Sequence, residues 1–333
     1  MGKRACLTPI AALLAVVVLG GCGAPVPEEA ASSRPAASNG GSLVFTDSLG
    51  REVSLPGAPK CVVSLMGSYA ETWLLAGGTL AGVTSDVVSE RCLQVDEAVT
   101  KIIGTVKSPD LEAVLGLSPD FILLSTDIES HVTLGATLEK AAIPHAYFKV
   151  EYFEDYLRML KICTGLTGRT DLYAQNGLRV REKIDTVLSK LPTAANKRPT
   201  ALFIRALSTT AKAKTDDNMT GRMLSELGVD NIAARHDSLL EDLSMETILE
   251  EDPDYIFVTT MGDSAKAIEA LKNGIQANPA WNSLSAVKND RYIVLDKTLF
   301  HYKPNAKWGE SYETLAKILY PEVFHGQTAS AGA

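Results

Sequence analysis

The chain has 333 residues, of which 46% are hydrophobic and 22% charged, and its formal net charge is −8. At roughly 150 residues per domain the length suggests about two domains, and the globular composition excludes disordered or fibrous architectures. Its acidity gives no general attraction for phosphate backbones, which argues against a nucleic-acid partner.

The N-terminus reads as a leader. Lys3-Arg4 is a short positive segment, Leu7 to Leu19 is apolar but short for a bilayer span, and small residues follow. Leu19-Gly20-Gly21-Cys22 resembles the bacterial lipobox, in which the Cys becomes the first mature residue and carries lipid. The expected layout is a signal peptide over 1–21, then a lipid-anchored flexible tether over 22–42, rich in Ala, Pro, Ser and Gly. Loss of Lys3 and Arg4 would shift the net charge from −8 to −10. No long apolar run follows residue 21, so no membrane-spanning helix is expected in the mature chain.

Three cysteines remain beyond the leader and Cys22, namely Cys61, Cys92 and Cys163. In an oxidising compartment an odd count suggests one bridge and one buried thiol. The expected pair is Cys61–Cys92, with Cys163 as a small core residue on a helix. No C-x-x-C spacing occurs, which argues against a cysteine-based zinc or redox centre.

Further along, Val62 to Leu65 reads as a strand, Glu71 to Ala76 as a helix and Leu80 to Thr84 as a second strand. Leu111 to Leu115 is a short helix, stopped by Ser118-Pro119-Asp120 ahead of a buried strand, Phe121 to Leu124. A helix over Thr133 to Ala142 and a strand over Ala146 to Val150 complete the first half. The second half reads as strand Ala201 to Ile204, helices Met219 to Leu227 and Ser244 to Glu250, then strand Tyr255 to Thr259. This alternation predicts α/β architecture with mainly parallel sheets flanked by helices.

The halves share a unit. Glu112 precedes Pro119-Asp120 by seven and eight residues, and Glu246 precedes Pro253-Asp254 by the same intervals. In each a helix with Glu near its start runs to a Pro-Asp turn and into an apolar strand. Two lobes are therefore expected, 43–170 and 192–325, with a flexible tail over 326–333. Between them, Val180, Ile184, Val187 and Leu191 recur at helical steps within 171–191. Such a helix is roughly 30 Å long, enough to link the lobes across a cleft.

Together these features resemble the substrate-binding lipoproteins of ABC importers, in the group that handles iron–siderophore, haem and cobalamin-type ligands. The resemblance is carried by Lys60 to Leu65, by Ser108 to Asp120 and by Asn278 to Tyr292, and it covers about residues 43–322. It implies a non-enzymatic monomer without an intrinsic cofactor, which captures an iron or cobalt chelate and delivers it to a permease driven by a cytoplasmic ATPase. It also implies that Glu112 and Glu246 dock on basic pockets of that permease. Read alone, each Glu is a solvated first-turn residue favoured by the helix dipole, and it is the matched pair that points to docking.

Ligand contacts are sought in loops at strand ends. Met66, Ser68 and Tyr69 follow the first strand. Arg205, Lys212, Lys214 and Asn218 form the counterpart in the second lobe, a basic patch suited to an anionic ligand or, alternatively, a solvated hairpin. His301, Tyr302 and Trp308 belong to an aromatic stretch that could ligate or cover a planar chelate, or simply pack beneath the last helix. His131 could line the cleft or be an exposed first-turn residue. A nucleophile elbow and a P-loop are both absent, so hydrolase and ATPase readings have no support. The alternative is a receptor for bare zinc or manganese. His131, His145, His236, His301 and His325 are dispersed without paired ligand spacing, so only the fold could gather them.

Overall fold

The computed structural model describes residues 42–192 and 198–324. The expected leader, Cys22, the tether up to residue 41, His325 and the tail lie outside the described residues. Two lobes are built on separate sheets.

The first lobe holds a five-stranded sheet with strands in the order Lys101–Ile102, Gly82–Val83, Val62–Ser64, Phe121–Ser125, His145–Phe148, all parallel. Phe121–Ser125 and His145–Phe148 are buried at every position. A parallel strand covered on both faces by helices requires such a continuous apolar run. The helices Gly67–Leu75, Leu111–Gly116, Glu129–Lys140 and Phe153–Thr167 belong to this lobe. In the second lobe Thr200–Ala206 and Tyr255–Thr260 pair in parallel at the centre, with Tyr292–Val294 parallel beyond them and Ala211–Ala213 antiparallel at the other edge.

The shared unit has a physical reason. The Asp120 carboxylate accepts from the backbone N–H groups of Lys60 and Cys61 at 2.8 and 2.9 Å, and Asp254 accepts from Thr200 N at 2.9 Å. Each Pro-Asp turn thus ties the start of one strand to the start of its parallel neighbour, satisfying N–H groups that the ladder leaves open. Upstream, Asp110 caps Leu111–Gly116 through Ala113 N and Ser244 caps Met245–Glu251 through Thr247 N. Cap, short helix, turn and strand therefore recur as one construction.

The connection between lobes runs as Thr170–Tyr173, a π-helical turn over Ala174–Leu178, and Arg179–Ser189. Val180, Ile184 and Val187 face inward as their spacing requires. The last long helix, Trp308–Leu319, packs along this connector. At Gly309 a Cβ would meet the Lys183 side chain at 2.8 Å, so glycine permits the close approach of the two helices. A continuous core runs from Phe153 and Tyr156 through Ile184 to Trp308, Phe203 and Phe257. The lobes are joined by apolar packing as well as by the chain.

The expected Cys61–Cys92 bridge is not formed, and both are free thiols. The Cys61 thiol donates to Leu117 O at 3.3 Å, while Cys92 is exposed at a left-handed φ of 52°. Different local structures hold the two residues. Cys163 is fully buried in the core.

Candidate ligand-binding cleft

A cavity of about 740 Å³ lies between the lobes, within the range that suits a small-molecule ligand. Its walls are loops that leave the C-terminal ends of strands in both sheets, where open α/β sheets place their ligands. From the first lobe come Met66 and Ser68 after Val62–Ser64, Ser85 to Arg91 after Gly82–Val83, and Thr105 to Lys107. From the second come Leu207 to Thr209, Met261 and Gly262, and His301 to Lys303.

Of the residues expected at this site, Met66, Ser68, His301 and Tyr302 line the cavity. Arg205 stands at the end of Thr200–Ala206, half-buried, with its Nε buried and unpartnered. It does not line the wall, but its charge is felt at His301 and Lys303, where it opposes protonation.

Several expected contacts are corrected. Tyr69 is 1% exposed and donates its hydroxyl to Phe148 O at 3.0 Å, a core role. His131 is wholly buried, with Nδ1 accepting from Ser125 N at 3.1 Å and Nε2 bonded to Val106 O at 2.9 Å. Burial lowers its pKa, in keeping with a neutral ring whose two nitrogens are both occupied. It touches the cleft only by fixing the Val106 carbonyl. Trp308 is 1% exposed and meets Phe153 edge-on at 6.0 Å, so its ring is committed to the core. Asn218 caps Met219–Glu226 by accepting from Gly221 N, and Lys214 faces Asp217 at 3.9 Å. Lys212 is exposed, and none of these three lines the cavity.

Sequence reasoning missed the stretch Asp86 to Arg91, along with Thr105 to Lys107 and Met261 with Gly262. The strand-end rule points to all of them, since each follows a strand. The Asp86 carboxylate accepts from Gly67 N at 2.7 Å and from the Thr84 hydroxyl at 2.6 Å, which ties this loop to the start of the first helix. Arg91 pairs with Glu71 and donates to Lys303 O at 2.8 Å.

The electrostatics are those of crowded, partly desolvated cations. Burial pulls Arg91 down to about 10, so it stays cationic near neutral pH. Burial lowers Lys303, with Arg205 adding to the effect against the pull of Asp127 and Glu151. Burial first, then Arg205, Lys297 and Lys303, push His301 down to about 4. Its ring is therefore neutral at physiological pH. Opposite them, burial and the neighbouring Asp86 raise the pKa of Glu90.

Several buried polar atoms without partners among the described residues lie at or just behind the cleft. Ser68 Oγ and Arg91 Nε on one side, and Arg205 Nε and His301 Nδ1 on the other, have no hydrogen-bond partner among the described residues. Among the described residues no group of three His, Cys, Asp or Glu side chains could hold a metal ion. No described helix is long and apolar enough to cross a membrane.

The sequence profile of the family described as periplasmic binding protein matches residues 62–299. A Bacillus subtilis (strain 168) protein, the uncharacterized ABC transporter substrate-binding lipoprotein YvrC, is 26% identical and aligns over 97% of this chain and 99% of its own. The Fe(3+)-citrate-binding protein YfmC of the same organism is 25% identical over 94% and 95%. Among solved structures, the siderophore-binding protein BauB, bound to ferric iron and two acinetobactin molecules, superposes with a TM-score of 0.67. That match covers 84% of this chain and 98% of BauB at 18% identity, a likeness of fold.

Proposed function

The chain belongs to the periplasmic binding protein family, and from that premise we propose that it captures an anionic metal chelate for an ABC importer. The family works outside the cytoplasm by binding and release, without covalent chemistry. In this reading Cys22 carries the lipid anchor, residues 22–42 form the tether, and a monomer presents lobes 43–170 and 192–325 joined by the helix at 171–191.

One observation carries the ligand class. Buried polar groups are almost always hydrogen-bonded, yet Ser68, Arg91, Arg205 and His301 each leave a buried atom unpartnered. Three of these residues line the cleft, and they come from both lobes. With Lys303 and Lys107 beside them, they suit a ligand whose periphery supplies acceptors and negative charge, such as the carboxylates or catecholates of a ferric chelate. A bare metal ion is served less well, because the described residues gather no ligand set for one.

Delivery is assigned to Glu112 and Glu246. Both are exposed in the first turn of short capped helices, and neither has an ion-pair partner among the described residues. Each stands next to a residue of a surface hollow, Leu111 in one lobe and Met245 in the other.

The cleft is tested by titrating the protein with ferric citrate and following its tryptophan fluorescence. Arg205→Ala is expected to raise the dissociation constant about tenfold to a hundredfold, the effect of losing a partly desolvated cation close behind the wall that faces an anionic ligand. An unchanged constant removes Arg205 from the ligand's environment.

A further inference from the structure

The segment His301 to Lys303 is a wall of the cleft contributed by the second lobe, where His301 N and Tyr302 N donate to Lys297 O at 3.0 and 2.8 Å, yet it is also fixed to the first lobe. Arg91 Nη1 donates to Lys303 O at 2.8 Å. Asn305 Nδ2 donates to Ser68 O at 2.9 Å and to Glu71 Oε2 at 2.7 Å. Glu71 also receives Arg91, closing a circuit of three side chains across two lobes. Arg91 and Ser68 line the cavity, whereas Glu71 and Asn305 do not.

The circuit is desolvated and tightly fitted. Asn305 is 1% exposed, and the side chains of Arg91 and Glu71 are 8% and 18% exposed. Asn305 sits at a left-handed φ of 52°, which asparagine tolerates better than most residues and which aims its amide at two acceptors. A Cβ at Gly67 would meet Asp86 Oδ2 at 2.7 Å and Arg91 Cγ at 3.0 Å. The start of the first helix and the loop bearing Asp86 and Arg91 therefore leave no space between them.

From this arrangement we infer that Glu71 and Asn305 are positioning residues for the ligand site. They hold Arg91 and the 301–303 wall in register across the two lobes without touching the ligand. Three of the eight described second-lobe residues lining the cleft are thereby fixed to the first lobe. Relative movement of the lobes is left to the other five, Leu207 to Thr209 with Met261 and Gly262, for which no comparable fixing to the first lobe is found among the described residues.

Hydrogen exchange of the full chain without ligand tests this independently of what the cleft binds. Asn305→Gly keeps the left-handed backbone and removes only the amide. Glu71→Gln keeps the shape and removes the charge. Asn305→Gly is expected to speed exchange of the amides in 301–305, His301 and Tyr302 above all, by about tenfold, the loss of a buried hydrogen bond that steadies the segment. The strands Val62–Ser64 and Thr200–Ala206 should keep wild-type protection. Glu71→Gln, still able to accept from Asn305, should give a smaller rise confined to the same segment. Wild-type exchange at 301–305 in Asn305→Gly, or a rise spread evenly over both sheets, overturns the inference. In a ferric citrate titration Asn305→Gly should also weaken binding about tenfold. That arm rests on the chelate reading. Failure of the wild-type protein to bind any chelate would defeat the reading and leave the exchange result standing, whereas tight binding unaltered by Asn305→Gly would defeat the positioning role alone.

Discussion

Reversing both exposed carboxylates, Glu112→Lys with Glu246→Lys, is expected to abolish chelate uptake by whole cells while leaving chelate affinity of the isolated protein unchanged. The cost to folding is small. Each residue is exposed, each helix keeps its own cap in Asp110 or Ser244, and a cation in the first turn opposes the helix dipole by only about 0.3–1 kcal/mol. The cost to docking is large. An interfacial ion pair converted into like charges loses several kcal/mol at each of two points, roughly 2–5 kcal/mol apiece where the pair is desolvated. Either single reversal should leave partial uptake, because one lobe still engages. Wild-type uptake by the double variant would remove both residues from the docking surface. Lost chelate affinity would show instead that the change had reached the cleft.

The second large effect is on stability. Trp308→Ala is expected to lower the free energy of unfolding by about 3–5 kcal/mol, the usual range for emptying a large aromatic site. Trp308 is 1% exposed and edge-on to Phe153, so it joins the start of the last long helix to the first lobe. The same change should free the lobes to separate, because apolar contact across the connector is part of what holds them together. Trp308→Phe should retain more than half of the stability, since a smaller ring still fills much of the space and the indole N–H, which has no partner among the described residues, is removed. Urea unfolding of the three proteins measures the difference. A loss below about 1 kcal/mol for Trp308→Ala would mean that the site collapses around the smaller side chain.

The architecture was legible where local chemistry decides it. The matched spacing from Glu112 to Asp120 and from Glu246 to Asp254 indicated two lobes, and the structure supplies the cause in carboxylates that close the start of a parallel strand pair. Apolar strands with helical periodicity between them were enough for the sheets. The hairpin Leu43–Thr46 with Glu52–Leu55 was not anticipated, and the helix Phe153–Thr167 was visible only at Cys163.

The site was less legible because the residue types that recognise a planar or anionic ligand are also those that fill a core. Tyr69, His131 and Trp308 looked suited to the cleft by type and strand-end position. Their burial, which only the assembled lobes establish, assigns them to packing. Arg91 shows the converse. In sequence it is one charge in a polar loop, and its importance arises from meeting Glu71 and a carbonyl 212 residues away. His301, picked out as part of an aromatic stretch, does line the cavity, whereas Arg205, picked out as a cation at the end of an apolar strand, stands behind the wall.

The central claim, a cleft made for a metal chelate, is tested most directly by incubating the protein separately with ferric citrate, haemin and cyanocobalamin, desalting, and recording the visible spectrum. Retention of a charge-transfer, Soret or corrin band by the wild-type protein, diminished in Arg205→Ala, is the predicted result and names the chelate. A colourless protein after all three incubations, with stoichiometric zinc or manganese by elemental analysis, would contradict it.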